Sequence, residues 1–365
     1  MQEALIARVA ALLRPSAELP DRRSWPSLID AARHHGVLPI ISEVAARASW
    51  DREFAAAIRA DVAAETALSL ANERELKRVL DGFGEARLTP LLFKGAHLAY
   101  TLYRSPELRP RVDSDFLIRE DERAAANDCL ERLGYTALEY VTGAVAFGQV
   151  PYGRIDASGV SYTIDVHWRL ANPQAFAHRL GHDEIARAAV RIPRLGSNAL
   201  GPGLAHALTI ASLHRAAHHG STHRLLWLYD VHLLASSLSK AGNDLGWREA
   251  IDVAVQRGLG PVVASALTDA RDRIGTELPA TVLPELNAHA ADRDVLEFVE
   301  GRMSQLRVAA SDWRRLAGLR DRARYLREHL FPPAEYIRHR YGVSSRLALP
   351  LLYTHRIVAG AKKWL

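Results

Sequence analysis

Hydrophobic positions recur at helical spacing from the start of the chain. Ala4, Leu5, Val9, Leu12 and Leu13 mark one face of a segment over 2–14, and the same period predicts helices over 25–48, 51–59 and 60–84. These stretches are rich in Ala, Leu, Glu and Arg, residues with high helix propensity. The pattern changes at Arg87. LTPLLFK is an apolar run of strand length, followed by Gly95 and the helical stretch AHLAYTLY, so a strand, a glycine turn and a helix are expected in succession. After a loop bearing Pro106 and Pro110, VDSDFLI (112–118) alternates acidic and apolar residues and then turns fully apolar, as the end of a central strand does. A helix over Glu120–Leu133 closes on Gly134, which stands where a left-handed cap is expected. Strands return over 135–152, and GVSYTIDVHW (159–168) is a strand entered through Asp156, Ser158 and Gly159. From about residue 174 the pattern is helical again, over 202–219, 223–240, 245–257 and 260–275, with a final helical region after Pro284.

This succession predicts an α+β protein, with a small mixed β-sheet flanked by N-terminal and C-terminal helical regions. The expected divisions are a helical region over 1–85, an α/β core over 86–200, a helical domain over 201–300 that closes a cleft, and a basic helical region over 301–365. A length of 365 residues with 48% hydrophobic positions suffices for about two or three domains with a substantial core. The formal charge of +5 is unevenly placed: residues 301–365 hold 14 Lys and Arg against 4 Asp and Glu, a local +10 that leaves −5 for the rest. The basic region is expected either to dock as an Arg-rich helical face on the acidic body or to meet an acidic partner such as RNA or anionic lipid. The N-terminus lacks the pattern of a secretion signal, no apolar run approaches the roughly 20 residues of a membrane span, and a cytoplasmic location is the expectation. Cys129, the single cysteine, reads as a packing residue.

Period two places Asp113 and Asp115 on one face of their strand, about 7 Å apart along the backbone at ~3.3 Å per residue. Their carboxylates can then converge on a hard divalent ion, and Asp165, between Ile164 and Val166, is the candidate for a third carboxylate from a neighbouring strand. Eighteen residues before Asp113 lies the Lys94-Gly95 turn, whose glycine would admit a phosphate and whose following helix offers amide donors at its positive end. Lys94, Arg109 and Arg111 flank the aspartates and could neutralise phosphate. For Arg109 the alternative is pairing with an aspartate that it orients. His167 shares the face of Asp165 and could act as a base or as a partner of the metal ligands.

His214 and His218 share a helical face, but Arg215 occupies the place where a zinc protease needs its glutamate. Together with Asp230 they either contact the nucleotide or acceptor across the cleft or join two helices structurally. Trp227 and Trp168 could stack on a base, yet each reads as core, Trp168 because it alternates to the face opposite Asp165.

The segments LLFKGAHLAYTLY, LRPRVDSDFLI and YTIDVHW together resemble the DNA polymerase beta-like nucleotidyltransferase superfamily, and within it a bacterial family of uncharacterised nucleotidyltransferases. ARHHGVLPII (32–41), LHRAAHHGSTHRLLWLYDVHLL (213–234) and LFPPAEYIRHRYG (330–342) extend the resemblance over most of the chain. Ala96 and Ser114 depart from the superfamily pattern, which has Gly or Ser after the glycine and an apolar residue between the acids. The resemblance implies a phosphate-loop role for Gly95, metal-ligand roles for Asp113 and Asp115, and the third carboxylate at Asp165. It further implies Mg²⁺ or Mn²⁺, an NTP donor with ATP expected, and a hydroxyl acceptor on a small molecule, peptide, protein or RNA, with release of pyrophosphate. The competing expectation is a non-catalytic nucleotide-binding or RNA-binding module that uses the basic C-terminal region.

Overall fold

The computed structural model describes residues 2–14, 16–138, 145–219, 224–240 and 244–364. Its class is α+β, a seven-stranded mixed sheet flanked by helices. Four helices come first: α1 (Gln2–Ala11), α2 (Trp25–His34), α3 (Leu38–Arg47) and α4 (Arg52–Glu85). The single helix expected over 25–48 is divided, because Gly36 adopts φ +71° just past α2 and Pro39 sits in the first turn of α3. Conversely, the segments 51–59 and 60–84 join as one helix of 34 residues, opened by the Asp51 carboxylate accepting the Glu53 N–H.

The sheet and its helices then follow as β1 (Leu91–Phe93), α5 (Lys94–Thr101), β2 (Ser114–Leu117), α6 (Arg123–Arg132), β3 (Thr136–Ala137), β4 (Gln149–Ile155), β5 (Ser161–His167), α7 (His182–Arg187), β6 (Val190–Arg191) and β7 (Leu200–Gly201). The strand order is β3-β4-β5-β2-β1-β7-β6. The pairs β2–β5 and β1–β7 are parallel and the remaining pairs antiparallel. Strands β6 and β7, in a region that reads as helical, have two residues each, too few to print a period of two in the sequence.

The remaining helices are α8 (Leu204–His219), α9 (Leu225–Lys240), α10 (Asp244–Gln256), α11 (Gly260–Ile274), α12 (Val282–Asn287), α13 (Arg293–Val299), α14 (Gln305–Arg315), α15 (Leu319–Leu330), α16 (Ala334–Tyr341) and α17 (Leu349–Trp364). One face of the sheet, with Phe116, Ile118, Ile164 and Val166, packs on Leu76, Val79, Leu80 and Phe83 of α4 and on Leu130 and Cys129 of α6. Cys129 is thus a packing residue. The other face buries Leu91, Phe93 and Leu117 against Leu213 of α8, Val262 of α11 and Phe298 of α13. A third core joins α2 and α3 (Leu28, Ile40) to α8, α9 and α11 (Leu208, Leu234, Leu267), so helices from before and after the sheet share one interior.

The first part of the basic C-terminal region docks on acidic neighbours. Arg315 donates to Asp292 at 2.6 Å and to Asp294 at 2.9 Å, and Arg307 reaches Glu297 at 3.3 Å. The Glu328 carboxylate accepts the Val145 and Ala146 N–H groups, and Asp312 accepts the Gln174 N–H at 2.7 Å. Among the described residues no helix is long and apolar enough to cross a membrane.

Candidate active site

Strand register assembles the acidic cluster. In the parallel pair β2–β5, Asp115 stands opposite Asp165, and in the antiparallel pair β1–β2, Asp115 stands opposite Phe93. Because Phe116, Ile164 and Val166 go to the α4 face, alternation turns Asp115, Asp165 and His167 to the other face, where the apolar core gives way to a cleft. Asp113 lies just ahead of β2 and lines the same cleft.

Lys94 follows Phe93 and so arrives directly beside Asp115. Its ammonium donates to Asp115 Oδ1 at 2.7 Å and lies 3.4 Å from His167 Nε2, which is itself 2.9 Å from the same carboxylate oxygen. Lys94 adopts φ +49°, a left-handed conformation that costs a side-chain-bearing residue of order 1 kcal/mol or more, held here between β1 and α5. Burial alone would raise the Asp115 carboxyl, but the Lys94 charge and the His167 contact outweigh it and hold the group well below the usual carboxylate range. The other two acids shift the opposite way. Burial, reinforced by the Asp115 charge, pushes Asp113 up to about 6, and burial with the charges of Asp115 and Asp113 pushes Asp165 up to about 7. Burial and the neighbouring Lys94 lower His167 to about 4, so its ring is neutral at pH 7.

Among the described residues, one group of potential ligands has its atoms all within 4.8 Å of one another: Asp115, Asp165 and His167. The sequence leads to Asp113, Asp115 and Asp165 as the converging set. In the structure His167 completes the compact group, and Asp113 stands outside it on the cavity wall.

Arg109 makes the contact that the sequence leaves as its alternative. Its guanidinium is buried and donates to both Asp230 oxygens, at 2.9 and 2.7 Å, while the Tyr103 hydroxyl donates to Asp230 at 2.8 Å. This cluster fastens α9 to the segment that leads into Asp113. It also explains a glycine: a Cβ built on Gly95 would lie 2.3 Å from Arg109 Nη1, so the open side of Gly95 is occupied by Arg109. The guanidinium cannot swing aside cheaply while both Asp230 oxygens hold it. Gly95→Ala is therefore expected to destabilise the fold by about 1–3 kcal/mol, as overpacking does. A thermal melt superimposable on the wild type would contradict that reading of Gly95.

His214, Trp227 and Arg111 line the same cavity. His214 lies edge-on to Trp227, with ring centroids 5.5 Å apart, and Arg224 sits over the Trp227 ring. The side chain of His218 lies outside the described residues. Trp168 is buried on the face away from the acids, where Arg123 covers its ring at 3.8 Å. Arg111 is buried beside Tyr100, whose hydroxyl accepts from it at 2.7 Å. The cavity has a volume of about 530 Å³, within the range of small-molecule sites, and reaches from Lys94 and the acids to Arg33, Glu65 and Arg224.

Other cavity residues escape the sequence reading. Gln149 donates to Asp165 Oδ2 at 3.1 Å, which only the β4–β5 register reveals, since Gln149 pairs with His167. Glu65 and Leu68 come from the middle of α4, where local pattern offers nothing beyond a helix.

The model of the family described as uncharacterised nucleotidyltransferase matches residues 21–275, about two thirds of the chain. The chain belongs to this nucleotidyltransferase family. No curated protein matches it. The matched span of this nucleotidyltransferase runs from the loop before α2 to the cap of α11 and includes every acid of the cluster. For a divalent ion the donor set is suitable: Asp113, Asp115 and Asp165 stand on the wall of one cleft, Lys94 is bonded to Asp115, and the Arg109 guanidinium is engaged by Asp230. Burial first, and the neighbouring carboxylates second, raise Asp113 and Asp165, and a hard cation with oxygen preference would offset both.

Proposed function

We propose that this nucleotidyltransferase moves a nucleoside monophosphate from an NTP, ATP in the first instance, to a hydroxyl acceptor. Mg²⁺ or Mn²⁺ would be held by Asp113, Asp115 and Asp165. The observation that carries the reading is the register of Asp115 against Asp165 beside Lys94, at the mouth of a cavity large enough for a nucleotide. A divalent ion held by these residues would polarise phosphoryl oxygens and ease deprotonation of the attacking hydroxyl.

The side chains divide the remaining work. Lys94 and the first-turn amides of α5, which carry no side-chain cap, receive phosphate oxygens. Gln149 fixes the orientation of Asp165, and His167 fixes that of Asp115. Asp165 accepts the proton as the acceptor oxygen bonds to the α-phosphorus. The bond from that phosphorus to the α,β-bridging oxygen breaks, and pyrophosphate leaves with the electron pair. A module built to hold RNA with its basic end is supported less well, because Arg307 and Arg315 direct their charge at Glu297, Asp292 and Asp294.

The test is incubation with each NTP labelled at the α-phosphate, Mg²⁺ or Mn²⁺, and cell extract as the source of acceptor. Label is expected to appear in a product and to fall by roughly 10²-fold or more in Asp165→Asn. Undiminished transfer by that variant would overturn the assignment.

A further inference from the structure

Two arginines lead into β2, both buried and both on the cavity wall, and their surroundings differ in kind. Arg109 is neutralised by Asp230. Arg111, 7% exposed, has no carboxylate within 4.0 Å among the described residues. Its guanidinium rests 5.0 Å from the Tyr100 ring centroid and donates from Nη2 to the Tyr100 hydroxyl at 2.7 Å. Its Nε and Nη1 are buried and have no partner among the described residues.

The acids nearest in influence do not resolve this. Glu73 is held by Lys77 at 2.9 Å and by Arg194 at 3.0 Å. Glu65, half-buried on the same cavity wall, has its own carboxyl raised by burial, which weakens it as a counter-charge. A guanidinium is always charged, so removing it from water with no anion and two open donors is costly unless something supplies the anion. The open donors belong to a residue on the wall of the substrate cavity, two positions from Asp113.

We propose that Arg111 binds a phosphate group of the substrate through Nη1 and Nε, the buried donors that have no partner among the described residues. This rests on the nucleotidyl-transfer reading for the identity of the substrate. The phosphate belongs either to the tail of the NTP or to a phosphorylated acceptor. Tyr100 acts as a positioning residue, holding Nη2.

Calorimetric titration of the full chain in Mn²⁺ buffer, with tripolyphosphate in one arm and glycerol phosphate in the other, separates the two sources. One of these anions is expected to bind the wild type, and Arg111→Gln to weaken it by roughly tenfold to hundredfold, the worth of a charge-assisted hydrogen bond. Preference for tripolyphosphate assigns the NTP tail, and preference for glycerol phosphate assigns the acceptor. Arg111→Lys is expected to retain part of the affinity, and Tyr100→Phe to lose several-fold, so a poorly folding Arg111→Gln leaves two further readouts. Equal affinity in folded wild type and variants, or no binding of either anion to the wild type, overturns the inference. Transfer that is lost in Asp165→Asn beside unchanged anion affinity in Arg111→Gln would refute Arg111 alone. Arg111-dependent anion binding with no transfer from any labelled NTP would instead refute the nucleotidyl-transfer reading.

Discussion

Asp115→Asn is expected to reduce nucleotidyl transfer by about 10²–10³-fold or more, the largest catalytic effect of any single substitution in the site. Asp115 is bonded to Lys94 and lies 2.9 Å from His167 Nε2, and it stands in register with Asp165. Amidation keeps the shape and removes the charge, so Lys94, whose side chain is 13% exposed, loses its anion. The lysine would then turn to any carboxylate still available, and the geometry that prepares the site for a cation and a triphosphate would be lost. The measurement is the rate of label transfer from α-labelled NTP, with circular dichroism to establish that the variant is folded. A folded Asp115→Asn enzyme with wild-type rate would remove the acidic cluster from the mechanism altogether.

The largest expected effect on stability belongs to Asp230. Its carboxylate is 4% exposed and accepts from Nε and Nη2 of Arg109, 7% exposed, as well as from the Tyr103 hydroxyl. Asp230→Ala leaves a buried guanidinium and a buried hydroxyl without their acceptor, which costs about 3–5 kcal/mol for the charge alone. For a chain of this length the melting temperature should fall on the order of 5–15 °C. Removing both charges and refilling the space, as in Arg109→Met with Asp230→Leu, is expected to recover most of that loss, because the penalty lies in the orphaned charge rather than in the absent bond. If Asp230→Ala melts with the wild type, the buried pair contributes nothing and its role as the fastening between α9 and the Asp113 segment fails.

Much of the fold can be read locally. The strand and helix that meet at Lys94, the alternation that sets Asp113 and Asp115 on one face, and the strand carrying Asp165 and His167 follow from periods of two and 3.6 over a few residues, whereas the expected glycine turn does not form, because Lys94 takes the left-handed conformation and Gly95 lies inside α5. The divided helix at Gly36 and Pro39 was equally present in the letters HHGVLP, although the helical period runs through it. The two-residue strands β6 and β7 were not legible, because their place depends on β1 offering an edge for pairing.

The sequence alone therefore determined which residues could do chemistry: the three acids, the lysine and the histidine that share faces of short strands. Only the tertiary structure decided which of them meet. It set Asp115 opposite Asp165, brought Gln149 to Asp165, and turned the helix over Arg52–Glu85 so that Glu65 and Leu68 line the cavity. It also separated two arginines that look alike in the sequence, giving Arg109 an aspartate 121 residues away and leaving Arg111 on the cavity wall with two buried donors unpartnered among the described residues. The physical reason is range. Periodicity records what a side chain faces within its own element, whereas charge pairing and cavity lining depend on contacts between elements distant in the chain, which no local pattern encodes.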